Sequence, residues 1–132
     1  MATTPNLLAT VRSHLEFLGY SFKEEDILIG RHASKPLIAV GEYKAGILFT
    51  AVYFATEAAG DDELGFLRFV NEGNRKAQIA RYITYENDFI TAEAWFPDHY
   101  ERVPFGAFFE GWLDEMKTFL ADETGPGRKY LK

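Results

Sequence analysis

The side chains best suited to acid–base or metal chemistry near neutral pH are three histidines, His14, His32 and His99, and a few runs of carboxylates. A catalytic histidine needs a partner that fixes its tautomer, and neither i+3 nor i+4 from His14 is a carboxylate. His14 falls at the edge of an apolar helical stripe and reads as a partly buried packing residue that could sense pH at an interface. His32, between Arg31 and a turn, reads as part of a solvated loop and is given no role. Asp98-His99-Tyr100-Glu101 is the densest polar cluster and could supply two or three metal ligands. Adjacent residues converge on one ion only where a loop folds back, so the run reads instead as a solvated loop that starts the last helix, with Asp98 or Glu101 facing its dipole. Glu24-Glu25-Asp26, Asp61-Asp62-Glu63 and Asp114-Glu115 would need separated pKa values in a cleft to act as acid and base, and they read as solvated faces. There is no G-x-S-x-G, no Gly-rich loop followed by Lys-Ser/Thr and no H-E-x-x-H. The sequence therefore predicts a non-enzymatic chain with no catalytic set, no metal site and no cofactor.

Composition narrows the partners. Zero cysteines remove thiol nucleophiles and disulfides, and they suit a reducing cytoplasm. A net charge of −6, with the only short basic stretch at Arg128, Lys129 and Lys132, argues against a nucleic-acid surface, which needs clustered Lys and Arg. Met1 to Asn6 has no basic n-region, and no apolar run approaches the roughly 20 residues that span a bilayer, so the expectation is a soluble cytoplasmic protein with no membrane partner. The aromatic share, 16%, is more than so small a core encloses easily, which places some rings at an interface.

The chain of 132 residues fits one domain, taken as 1–123 with a frayed basic tail over 124–132. Thr4 as N-cap and Pro5 at the first helical position start a helix, Leu7, Leu8, Val11, Leu15 and Leu18 give it one apolar stripe, and Gly19 ends it. Ile27 to His32, Leu37 to Tyr43 and Ile47 to Ala55 read as a meander, separated by Ser34-Lys35-Pro36 and Lys44-Ala45-Gly46. Asp61 or Asp62 caps a short helix carrying Phe66, Phe69, Val70 and Gly73, with Asn71 and Asn74 near its end. Gln78 to Glu86 and Phe89 to Phe96 flank Asn87-Asp88, read as a two-residue hairpin turn. From about Val103 to Ala121 a broad stripe of Phe105, Phe108, Phe109, Trp112, Leu113, Met116, Phe119 and Leu120 marks the last helix, which Thr-Gly-Pro-Gly terminates. The fold class is α+β, in the order α-βββ-α-ββ-α.

That order, and the segment Phe66-Leu-Arg-Phe-Val-Asn71-Glu-Gly-Asn74 with a hairpin and an amphipathic helix after it, resembles the bacterial YbjN-like family, whose fold is that of the type III secretion chaperones. The resemblance implies a homodimer that offers apolar patches to an extended or partly folded client, and members are labelled regulators of sensory transduction. It carries no catalytic set. Only Asn71 and Asn74 transfer by position, with a structural role: satisfying carbonyls and amides where the second helix meets the next strand.

Strand alternation in the hairpin sends Ile90, Ala92, Ala94 and Phe96 to the core and Phe89, Thr91, Glu93 and Trp95 to the other face. Phe89 and Trp95, with Tyr82 across the turn, are the candidate partner-binding residues, unless a helix covers that face. Two functions remain open. One is a dimeric chaperone-like or regulatory adaptor that binds a protein or peptide by strand addition or apolar docking. The other is a small-ligand sensor with a pocket beneath the last helix, lined by Phe105, Phe109 and Trp112.

Overall fold

The structure, a computed structural model, describes residues 7–23, 28–120 and 127–132, so the expectations for Thr4, Pro5, Glu24 to Ile27 and the stop after Leu120 lie outside the described residues. The first helix, α1 (Leu7–Phe17), buries Val11 and Leu15. It stops where Gly19 takes a φ of +101°, a conformation open to a residue without Cβ. There the Tyr20 N–H reaches the Leu15 carbonyl at 3.1 Å and the Gly19 N–H that of Glu16 at 3.0 Å, a Schellman closure.

Six strands follow in two groups: β1 (Ser21–Lys23), β2 (Leu28–Arg31), β3 (Ile38–Glu42) and β4 (Gly46–Phe54), then β5 (Arg81–Tyr85) and β6 (Phe89–Pro97). They form one antiparallel sheet in the order β1-β2-β3-β4-β6-β5. The long pair β4 and β6 runs in register from Gly46↔Pro97 to Phe54↔Phe89. Between the two groups lie α2 (Glu57–Asp61) and α3 (Glu63–Lys76), and after β6 come α4 (Arg102–Leu120) and α5 (Gly127–Tyr130). The fold is α+β, with β1, α2 and α5 added to the expected order.

The helices cover one face of the sheet, called the inner face below. Spacings of four, three, four and four residues bring Phe105, Phe109, Trp112, Met116 and Leu120 of α4 onto it, and all five are buried. The Phe49 ring of β4 sits among Phe105, Phe108, Phe109 and Trp112 at centroid distances of 5.8 to 5.9 Å. Ile38, Val40, Ile47, Ala51, Ile90, Ala92 and Phe96 complete this layer. Asp62 caps α3, its Oδ1 accepting the Gly65 N–H at 3.1 Å.

Two expectations are corrected. The hairpin loop has three residues, Glu86 to Asp88, because Tyr85 pairs with Phe89, and the left-handed φ of +53° falls on Glu86. The tail over 127–132 is not frayed. Tyr130 and Leu131 are buried, the Thr56 N–H donates to the Tyr130 carbonyl at 2.8 Å, and the Lys132 N–H donates to that of Phe54 at 2.9 Å. The reason is the Tyr130 ring, which packs beside Phe66 and Phe69 while its hydroxyl donates to Asp62 Oδ2 at 2.8 Å.

Candidate binding surface

Among the described residues, no helix covers the outer face of the sheet. Because β4 and β6 alternate in register, Leu48, Thr50, Val52 and Phe54 stand beside Trp95, Glu93, Thr91 and Phe89 on this side. Tyr85, Phe89 and Phe54 form an aromatic row across three strands at one end, with the Tyr85 and Phe89 rings stacked at 4.7 Å and Phe54 60% exposed. At the other end Trp95 is 44% exposed and Tyr43 stands beyond β3, also exposed. The Trp95 indole N–H donates to the Tyr43 carbonyl at 2.8 Å. A Cβ at Gly46 would collide with that indole, so glycine lets the ring lie flat on the β3–β4 turn. Lys44 and Ala45, with φ of +45° and +57°, form that turn, and the Tyr43 and Gly46 backbones bond to each other across it.

Between the aromatic ends the face mixes Leu48, Val52 and Ile83 with Thr50, Thr91, Glu93 and Arg81. Its central charges neutralise each other, Arg81 donating to Glu93 at 2.7 Å. Gly41 lies opposite Leu48, and where its side chain is missing a hollow of about 170 Å³ opens between Ala39, Tyr43, Leu48 and Thr50.

No protein-family model and no curated protein matches the chain. Among solved structures, the crystal structure of YbjN from E. coli, proposed to be a transcription regulator, covers 99% of this chain and 99% of that one with a TM-score of 0.74 at 14% sequence identity. The fold is that of YbjN. At this identity the likeness speaks for the backbone path alone.

Within the YbjN-like fold the three candidate residues separate. Phe89 and Trp95 lie on the outer face, at opposite ends. Tyr82 does not join them: it pairs with Ala92, points to the inner face and is only 3% exposed. Burial, then the Glu115 carboxylate, then Tyr53, push its hydroxyl pKa up. Tyr43, Leu48, Phe54 and Tyr85 were missed, although strand alternation from Trp95 and Phe89 through the correct pairing selects Leu48, Phe54 and Tyr85.

The start of the β5 edge is closed by side chains. Asn74 of α3 behaves as a strand would toward Tyr82, donating from Nδ2 to its carbonyl at 2.9 Å and accepting its N–H at Oδ1 at 2.7 Å. The bridge of amides and carbonyls expected of the asparagine pair is thus made by Asn74, with Asn71 exposed one turn earlier. Glu115 of α4 accepts the N–H groups of Gln78, Ile79 and Ala80 at 3.2, 3.2 and 2.8 Å. Past the end of β3, Ala55 bridges to Leu131, so the C-terminal residues flank the end of β4.

Phe105, Phe109 and Trp112 form no pocket beneath α4; all three are fully buried in packing with Phe49. A groove of about 660 Å³ lies instead between α3 and α4, over Phe69, Tyr82 and Phe119. Gly73 is what allows its floor, since Phe119 fills the space a Cβ would take and stacks on Phe69 at 4.6 Å.

The histidines tie elements together. The Tyr100 hydroxyl is 2.7 Å from His14 Nδ1, and the Phe105 ring packs edge-on at 4.9 Å. Burial, with Arg102 nearby, holds the His14 pKa below its ordinary value. His32 is no bystander: its Nδ1 accepts the Ser34 N–H at 3.0 Å, so Nε2 carries the hydrogen and donates to the Leu18 carbonyl at 3.2 Å. His99 is exposed, 3.4 Å from Glu101. Among the described residues no helix is long and apolar enough to cross a membrane.

Proposed function

We propose that this YbjN-like chain is a protein-binding module without catalytic activity, acting in the cytoplasm as a homodimer in the manner of a chaperone or regulatory adaptor. The observation that carries the reading is the uncovered outer face, with Trp95 at one end and Phe54, Phe89 and Tyr85 at the other. Exposed aromatic anchors, with Arg81 and Glu93 already paired between them, are what an interface uses. Asn74 and Glu115 occupy the backbone groups along 78–82 that a guest strand at the β5 edge would need, so docking on the face is favoured over strand addition there. A small-ligand pocket under α4 finds no support, since packing fills that space.

Light scattering at micromolar concentration tests the dimer, and a 15.0 kDa monomer would overturn it. Trp95→Ala should weaken self-association by more than about 2 kcal/mol, near thirty-fold, while folding stability falls by about 1 kcal/mol for the lost hydrogen bond. Phe96→Ala, on the buried inner face, should do the reverse. A large stability loss in Trp95→Ala with association intact would remove the outer face from function.

A further inference from the structure

We infer that the cleft between the end of β4 and the start of α3 is a recognition site for a peptide segment in which a basic residue, a tyrosine and an aliphatic residue follow one another, with Lys129, Tyr130 and Leu131 as its resident occupant. The site goes beyond the outer-face reading and stands without it, since Trp95 lies at the other end of β4 and β6. The segment is held as a bound peptide is held. Its backbone runs antiparallel to the end of β4 through the bridge Ala55↔Leu131, the Lys132 N–H donating to the Phe54 carbonyl at 2.9 Å and the Thr56 N–H to the Tyr130 carbonyl at 2.8 Å. The Tyr130 ring fills a socket against Phe66 and Phe69, at centroid distances of 5.7 and 5.6 Å, and its hydroxyl donates to Asp62 Oδ2 at 2.8 Å. Lys129 Nζ donates to the same oxygen at 3.2 Å and lies 5.1 Å from the tyrosine ring centre, so one carboxylate reads both side chains.

The receiving elements give up contacts of their own to make the cleft. Thr56 stands at the N-cap of α2, yet its hydroxyl makes no cap bond and donates instead to the Lys129 carbonyl at 2.6 Å. Gly65 lies inside α3, where glycine is unfavourable, and a Cβ there would collide with the Tyr130 hydroxyl and the Asp62 carboxylate. Asp62 divides its carboxylate, Oδ1 capping α3 and Oδ2 facing the segment. Covering a core needs the ring socket alone; the backbone bonds add direction and register, and the hydroxyl and ammonium contacts add selection of sequence. Charge fits as well, because an acidic chain, −6 overall, here receives a segment with Arg128, Lys129 and Lys132. The Lys129 and Asp62 side chains are 57% and 44% exposed, so their ion pair is open to water and a segment of the same chemistry from another chain can take its place.

The test uses the full chain carrying Tyr130→Ala, which loosens the resident segment, and a fluorescent peptide of residues 127–132 followed by anisotropy. Saturable binding to Tyr130→Ala is expected, with binding to the wild type weaker by about ten-fold or more because its own tethered segment competes. A peptide carrying Tyr130→Phe should bind about ten-fold less tightly for the lost hydrogen bond to a carboxylate, and one carrying Tyr130→Ala should not bind. Adding Asp62→Asn to the chain, which keeps an N-cap and removes the charge, should weaken the intact peptide by a similar factor. Adding Trp95→Ala instead should leave peptide binding unchanged, so that failure of the outer face and failure of this site are read separately. In the wild type, the Thr56 and Lys132 amides should exchange with solvent faster than the paired amides of β4 and β6, by opening of the segment alone. Exchange of those two amides only at the rate of the sheet would overturn the proposal, whether or not Tyr130→Ala folds. So would a folded Tyr130→Ala chain that does not bind the peptide, equal binding of the peptide that lacks the tyrosine, indifference to Asp62→Asn, or loss of binding in Trp95→Ala.

Discussion

Replacing Asn74 by alanine tests whether the β5 edge is held by a side chain or by helix packing. The substitution removes both bonds to Tyr82, the 2.7 Å acceptance of its N–H and the 2.9 Å donation to its carbonyl. Each such bond contributes about 0.5–1.5 kcal/mol net, and Tyr82 is buried, so water reaches its freed backbone groups poorly. The expected loss is ~2 kcal/mol of unfolding free energy, read by urea denaturation with an unchanged slope. Hydrogen exchange at the Tyr82 amide should accelerate by the same factor, roughly thirty-fold. Asn74→Asp keeps the acceptor, loses the donor and sets a carboxylate against the Tyr82 carbonyl, so at neutral pH it should be no better than alanine. A stability within about 0.5 kcal/mol of wild type, with the Tyr82 amide still protected, would refute the bracing role and assign the edge to the packing of α3 alone.

Trp112→Ala should cost about 3–5 kcal/mol in the same denaturation assay, because the ring is fully buried against Phe49 and Phe109; Trp112→Phe should cost far less, since it keeps a ring and removes a buried indole N–H that has no partner. His14 makes stability depend on pH: its folded pKa lies below the unfolded 6.5, so the unfolded chain binds the proton more readily and stability, complete above about pH 6.5, declines as pH falls through the folded value. Melting curves between pH 7.5 and 5.5 on the wild type and His14→Gln should differ in slope, and equal slopes would assign the decline to other groups.

Much of the fold was legible because its long elements carry clean periods. The α4 stripe and the alternation of β6 place Phe105, Trp112, Ile90 and Phe96 in the core where the structure has them. Tyr82 was misplaced by one residue of loop. A two-residue turn at Asn87-Asp88 pairs Glu86 with Phe89 and Tyr82 with Glu93, which puts Tyr82 on the outer face; the three-residue loop pairs it with Ala92 and turns it inward. The strand β1 and helices α2 and α5 span three to five residues, too few for any period to show. Glu115 lies 35 to 37 positions from the N–H groups it accepts, a contact only the tertiary fold creates. The role of Asn74 was legible because an amide at a helix end suits both a backbone donor and a backbone acceptor.

The position of residues 130–132 also governs synthesis. The first four strands are a meander of neighbours and can pair as they leave the ribosome, whereas β5 must wait for β6 to insert between it and β4. The end of β4 waits longer still, since Ala55 meets Leu131 only when residue 131 has cleared the exit tunnel, 76 residues later. Until then Phe66 and Phe69 lack the Tyr130 ring, so a nascent chain stalled short of residue 130 exposes part of its core to chaperones and proteases.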